Sequence, residues 1–299
     1  MSRIDAHLHV FAKVSDEFPR ETSDVYPADR EEPVEKLMVE MAANQIDQAV
    51  LVQIGGTSVE HHAYLLHCLK TCPDRFLGIG LIPSDTPDLE AHMDQLADGT
   101  GIIGFRLSSI GGPRDPFAKI DPREFEAYRI WKHAAEKDYV LWLYVRAIDA
   151  HLVPYLLEAF PQVRVVFNHL GICPGKGKFS WDDKGRPHIE TPGYNPALHT
   201  IYRLSRFENV AVLLSGHYAF STKEYPYSDL NRLHSSLLGS YGAKRLMWAT
   251  DFPWILEEPG YGRLADLIKV VLPNLSEDEH ADIMGGTAKR FLRFPKLAD

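Results

Sequence analysis

Short apolar runs alternate along this chain with longer stretches in which apolar residues recur every three or four positions. The short runs cover residues 3–11, 48–54, 76–83, 102–108, 139–145, 163–170, 209–216 and 245–251. Helical periodicity covers residues 33–44, 59–71, 88–97, 122–137, 149–159, 197–205, 228–241 and 260–271. Every short run is followed by a helix, which predicts parallel strands joined by helical crossovers. Eight such units in 299 residues predict an α/β fold, a closed (β/α)8 TIM-type barrel. No glycine-rich phosphate turn follows the first run, which argues against a doubly wound open sheet. Ser276-Glu277-Asp278-Glu279 reads as a capping box. It opens an additional C-terminal helix, interrupted near Gly285-Gly286, that packs on the barrel. No break in composition divides the chain, so residues 1–299 are expected to form a single domain. Residues 171–194 are poor in structure signals and read as a long loop, either an active-site lid or a surface excursion.

Alternation within the strands sorts their side chains into two faces. In the first, Asp5, His7 and His9 oppose Ala6, Leu8 and Val10. In the fourth, Gly104, Arg106 and Ser108 oppose Ile103, Phe105 and Leu107. In the fifth, Trp142, Tyr144 and Arg146 oppose Leu141, Leu143 and Val145. His169 and Asp251 fall at the ends of the sixth and eighth strands. A parallel barrel gathers these ends at one mouth, where such folds carry their chemistry.

His7 and His9 stand about 6–7 Å apart along one strand, close enough for both imidazoles to reach one ion. Zinc takes three or four N or O ligands and keeps a position open for water. His7, His9, His169 and Asp251 supply such a set, although buried histidines also serve as plain core donors. Asp251 at a strand end is placed to take a proton from water, or to cap a turn before Pro253. Arg106 lies in an apolar strand, where a guanidinium is costly without an anion. It reads as a clamp on a substrate carboxylate or as half of an internal ion pair. Arg114, in Gly111-Gly112-Pro113-Arg114, reaches the same anion or stays solvated. Tyr144 and Arg146 are expected in the pocket wall, and His217 is a candidate pocket donor. His61-His62 reads as surface, and Cys68 and Cys72 as packing.

The three cysteines suggest a reducing, cytoplasmic setting without a disulfide framework. No apolar run has the length of a membrane span, and no signal peptide precedes the first strand. A net charge of −9 argues against non-specific nucleic-acid or anionic-membrane binding. The expected partner is a small molecule, anionic if Arg106 is a clamp. The number of subunits is not encoded in these patterns.

The segments Ile4-Asp5-Ala6-His7-Leu8-His9, Asn168-His169-Leu170-Gly171 and Ala249-Thr250-Asp251-Phe252-Pro253, in that order, resemble the amidohydrolase superfamily. Tyr225-Pro226-Tyr227-Ser228-Asp229 and Gly285-Gly286-Thr287-Ala288 extend the likeness over nearly the whole chain. The pattern is most similar to the amidohydrolase-2 branch, with its lactone hydrolases, lactone isomerases and metal-dependent decarboxylases. Many metal-dependent relatives carry a ligating lysine or histidine in the middle strands. This chain has Arg106 and Tyr144 there, so no binuclear site is implied. It resembles the pyrone-dicarboxylate hydrolase and sugar-lactonase members, some of which need no metal and hold an anionic substrate with arginines and a tyrosine. Arg106, Arg114 and Tyr144 stand at comparable positions. The resemblance implies a hydrolase opening a lactone or cyclic ester. Asp251 would be its base, and His7, His9 and His169 would polarise the carbonyl directly or through one Zn²⁺ or Mn²⁺. A metal-dependent decarboxylase, a lactone isomerase and a non-enzymatic binding barrel are the alternatives.

Overall fold

The computed structural model describes residues 2–83, 85–113, 115, 119–172, 178–183, 186–190 and 197–297. Eight parallel strands form one sheet: β1 (Ile4–Leu8), β2 (Gln48–Val52), β3 (Phe76–Leu81), β4 (Ile102–Leu107), β5 (Val140–Leu143), β6 (Val165–Phe167), β9 (Val210–Leu214) and β10 (Leu246–Trp248). They neighbour one another in chain order. Just past the strands, Asp251 N–H donates to His7 O at 2.9 Å and His9 N–H to Phe252 O at 2.8 Å, drawing the last strand against the first. The result is a nearly closed (β/α)8 barrel, as the alternation predicts.

The barrel wall divides the core in two. Outward residues such as Leu51, Phe105, Leu143 and Val212 pack against the helices. Inward residues such as Ile4, Val50, Ile79, Val140, Val166 and Met247 fill the lower interior. The C-terminal segment joins this inner cluster through Ala288, Leu292 and Phe294. Gln48 Nε2 donates to Pro295 O at 3.1 Å, and Arg164 Nη1 to Phe291 O at 2.7 Å. The additional helix therefore plugs one end of the barrel. The capping box is present: Ser276 Oγ accepts from Glu279 N–H, and the Glu279 carboxylate accepts from Ser276 N–H. The interruption falls at Asp282–Gly286, as the paired glycines predict.

Two strands break strict alternation. Between Asp5 and Leu8, β1 carries one residue more than the matching stretch of β2. This bulge changes facing partway along the strand. Asp5 therefore turns outward, where its carboxylate accepts from Tyr261 OH at 2.8 Å, instead of sharing a face with His7. β4 has a similar shift opposite Gly78 and Ile79. It places Ile103 with the inner cluster, although alternation grouped it with outward Phe105. Gly104 sits at this irregularity, where a Cβ would fall 2.0 Å from Val140 O, so only glycine lets β4 and β5 approach there.

Other expectations need correction. Residues 171–194 are not simply a loop: β7 (Lys178–Trp181) and β8 (Pro187–Glu190) form an antiparallel hairpin. Four predicted helices open with tight 3-10 turns, at Glu60–His62, Pro122–Glu124, Ala147–Leu152 and Ser228–Leu230. His62 is not at the surface: it is fully buried, with Nδ1 on Ser58 O at 2.7 Å and Nε2 accepting from Leu81 N–H at 2.9 Å. No helix among the described residues is long and apolar enough to cross a membrane.

Candidate active site

β1 carries His7 and His9 to the mouth of the barrel. Asn168 ends the extended β6 segment and is followed by His169 at φ 45°. Asp251, three residues beyond β10, has φ 63°. Left-handed backbone is uncommon for residues other than glycine, and it concentrates where surroundings force a side chain into a working position. At His169 the ring fits because Gly216, itself at φ 70°, leaves room for it: a Cβ there would lie 2.8 Å from His169 Nδ1. At Asp251 the force comes from Asp5, which accepts from Thr250 N–H at 2.9 Å and Thr250 Oγ1–H at 2.5 Å. Asp5 thus clamps the residue before Asp251. Burial pushes its carboxyl up to about 6, against the pull of those hydrogen bonds.

The side chains converge. Asp251 Oδ1 lies 3.4 Å from His7 Nε2 and 3.5 Å from His9 Nε2, and Oδ2 lies 4.0 Å from His169 Nε2. Tyr218 OH donates to Oδ2 at 2.6 Å, leaving Oδ1 without a hydrogen-bond partner in the protein. Burial opposes the charge on Asp251, but His169, His7 and His9 around it hold its carboxyl well below the usual range. Burial pushes His7 well below the ordinary imidazole range and His169 down to about 4. At neutral pH Asp251 is therefore an ionised carboxylate beside the neutral imidazoles of His7 and His169.

This cluster opens on a cavity of about 450 Å³ whose wall includes His9, Arg106, Tyr144, His169, Tyr218 and Asp251. His7 stands behind them and reaches Asp251 from the barrel interior. The guanidinium of Arg106 stacks on Tyr144, 4.7 Å from the ring centroid. Burial lowers its pKa, while Tyr144 and Asp251 favour its charge. Among the described residues no carboxylate forms a salt bridge with it. The hairpin contributes Trp181, Pro187 and Ile189 to the same cavity.

Three of these groups have the spacing that a divalent ion asks for. Ligand atoms of His7, His169 and Asp251 lie within 4.8 Å of one another, all buried. His7 Nε2 and Asp251 Oδ1 are buried without a hydrogen-bond partner in the protein, as two atoms awaiting a third would be. His9 Nδ1 is anchored on Val52 O at 2.8 Å, the outer support typical of a metal-binding histidine.

Other predicted residues sit apart. His217 is absent from the cavity wall; it is buried, with Nε2 2.9 Å from His234 Nε2. Arg146 turns to Asp149 at 3.1 Å. Arg114 lies outside the described residues. The sequence reading missed Tyr218 and gave no role to Trp142, whose indole N–H donates to His7 Nδ1 at 2.9 Å. Trp142 was legible as an inward residue of β5. Tyr218 belongs to a one-turn helix (His217–Phe220) that no periodicity signals.

The amidohydrolase family model matches residues 4–294. Among solved structures the chain is similar to a probable 2-pyrone-4,6-dicarboxylic acid hydrolase from Acinetobacter baumannii with citric acid bound. They share 19% identity over 98% of this chain and 100% of that one, with a TM-score of 0.73. An amidohydrolase from Burkholderia multivorans with bound zinc is 20% identical over 99% of this chain and 100% of its own, with a TM-score of 0.74. The 2,6-dihydroxybenzoate decarboxylase from Rhizobium is 15% identical over 98% of both chains, with a TM-score of 0.66. At these identities the structural likeness speaks for the fold. No curated protein matches the chain.

Proposed function

The chain belongs to the amidohydrolase family, and within it we propose a hydrolase that opens a lactone or similar cyclic ester bearing a carboxylate. One observation carries this reading: Arg106, a partly buried cation with no salt-bridge partner among the described residues, faces the cavity that Asp251 also lines. A carboxylate on the substrate completes the ion pair that the protein leaves unmade, and the fork of the guanidinium suits it. The ring of Tyr144 packs against that fork. The bound citric acid of the Acinetobacter baumannii neighbour is in keeping with an anionic ligand.

With the substrate so anchored, Asp251 Oδ1 takes a proton from a water as the water oxygen bonds to the ester carbonyl carbon. Tyr218 keeps Oδ2 out of that exchange. The imidazole of His169 lines the same space and that of His7 reaches it from behind, and both offer N–H groups to the carbonyl oxygen as it gains charge. The ring C–O bond then breaks, and Asp251 returns its proton to the departing alkoxide, giving an open-chain hydroxy acid. A zinc or manganese ion on Asp251, His169 and the imidazoles of β1 would, when bound, polarise the carbonyl as a Lewis acid.

A second reading is a decarboxylase of an unsaturated or aromatic acid, which the ion-compatible spacing of His7, His169 and Asp251 favours. The product separates the two. A panel of carboxylate-bearing lactones, followed by chromatography and carbon dioxide detection, should yield the open hydroxy acid. Carbon dioxide release without that acid would sink the hydrolase reading.

A further inference from the structure

The two imidazoles of β1 reach Asp251 Oδ1 at almost equal distances, 3.4 Å for His7 and 3.5 Å for His9. Their far nitrogens have opposite partners. His9 Nδ1 meets the carbonyl oxygen of Val52 at 2.8 Å. A carbonyl only accepts, so His9 carries its proton on Nδ1 and turns a lone pair toward the site. His7 Nδ1 meets Trp142 Nε1 at 2.9 Å. An indole N–H only donates, so His7 Nδ1 holds the lone pair and the neutral ring carries its proton on Nε2. Both Trp142 and His7 are 0% exposed, so no solvent can take the place of either partner.

A metal-binding histidine gives its lone pair to the ion and donates its other N–H to an acceptor. His9 is wired in that sense and His7 in the reverse. With an ion on His7 Nε2, the neutral ring would carry its proton on Nδ1. Two N–H donors would then face each other at 2.9 Å in the dry interior of the barrel. We propose that Trp142 is a positioning residue that holds His7 as its Nε2–H tautomer, so that His7 donates a hydrogen bond into the pocket and does not ligate a divalent cation. Any cation the pocket takes is then held by the remaining donors. The proposal assigns His7 one of the two roles open to it in the hydrolase reading and rests on that reading's pocket. Its test uses no turnover, so the reaction and the tautomer can fail separately.

The first readout needs no altered core. Long-range proton–nitrogen correlation of the metal-free, nitrogen-15-labelled full chain at neutral pH should show His7 protonated at Nε2 and bare at Nδ1. Its signals are identified by their loss in His7→Gln. The opposite pattern would overturn the proposal. The second readout is calorimetric zinc titration. His169→Gln should weaken zinc binding by roughly 10- to 100-fold, whereas His7→Gln should leave it near the wild-type value. Equal losses would count against the proposal. Trp142→Phe, where it folds, should tighten zinc binding on the order of 10-fold by freeing His7 to reverse its tautomer. Unchanged affinity in that variant would also refute it.

Discussion

The inside of this barrel is built from opposite materials at its two ends. The lower end is dry: Ile4, Val50, Val140 and Met247 close on Leu292 and Phe294 of the C-terminal segment. The upper end holds a carboxylate, three imidazoles and a guanidinium around a cavity. Side chains from the same strands serve both. β1 gives Ile4 to one and His7 to the other, and β5 gives Val140 to one and, through Trp142, the support of His7 to the other. The lower end supplies packing, and the upper end gathers the polar groups that the proposed chemistry needs. Damage to each should therefore show in a different measurement.

Asp251→Asn should have the largest effect. It keeps the shape of the side chain but removes the base, and turnover of a carboxylate-bearing lactone should fall by roughly 10²- to 10⁴-fold, with an unchanged thermal midpoint or a small shift. Full turnover in that variant would remove Asp251 from the reaction. Leu292→Ala should do the converse. It opens a hole in the plug and should cost about 2–5 kcal/mol in urea unfolding, while kcat in the cold stays near that of the parent. A matching loss of kcat would mean that the two ends are not separable. Arg106→Met should lower kcat/KM by about 10- to 100-fold, mainly through KM, as expected for loss of charged hydrogen bonds to a bound anion. The same variant should act normally on an uncharged lactone of similar size. Tyr218→Phe should be milder, on the order of 10-fold in kcat, since it frees Oδ2 without touching Oδ1.

A pH series sharpens the contrast further. Burial pushes His62, His169 and His234 down to about 4. The unfolded chain takes up their protons first, so stability falls as pH drops from about 6.5 toward 4. Asp5 works in the other direction. Its carboxyl is raised to about 6, so its contribution is full below the ordinary carboxylate range and is lost as pH rises through 6. Three histidines outweigh one aspartate, and urea midpoints should decline from pH 7 to pH 5. In Asp5→Asn the decline should be steeper, because the opposing group is gone.

Much of this was legible in the sequence. Strand–helix alternation specified the barrel, and the polar residues at strand ends named His7, His9, His169 and Asp251, which the structure brings within contact of one another. The capping box at Ser276 was readable because it is local in sequence. What escaped depends on more than local pattern. Alternation put Asp5 beside His7, and a single extra residue in β1 separates them. A bulge is fixed by pairing with the next strand, which lies more than forty residues away. Tyr218 escaped because one turn of helix has no period to read. His217 drew attention as a lone histidine at a strand end, yet its partner is His234 on another helix. The hairpin β7–β8 was read as a loop because its two short strands, 178–181 and 187–190, pair only with each other.

That hairpin forms part of the roof of the cavity, and its attachment is mixed. Ile189 is its apolar anchor in the outer core. Arg186 is its clasp, reaching Asp182 within the hairpin at 2.6 Å and the Glu258 carboxylate, beyond Asp251 in the chain, at 3.4 Å. Of the two pairs only the one to Glu258 has a substantially exposed end, and exposed ion pairs weaken as salt rises. A ceiling pinned greasily on one side and electrostatically on the other should, if it acts as a lid, lift from its charged edge. Traffic into the chamber beneath would then quicken with ionic strength, even where the grip on the occupant's carboxylate is unchanged.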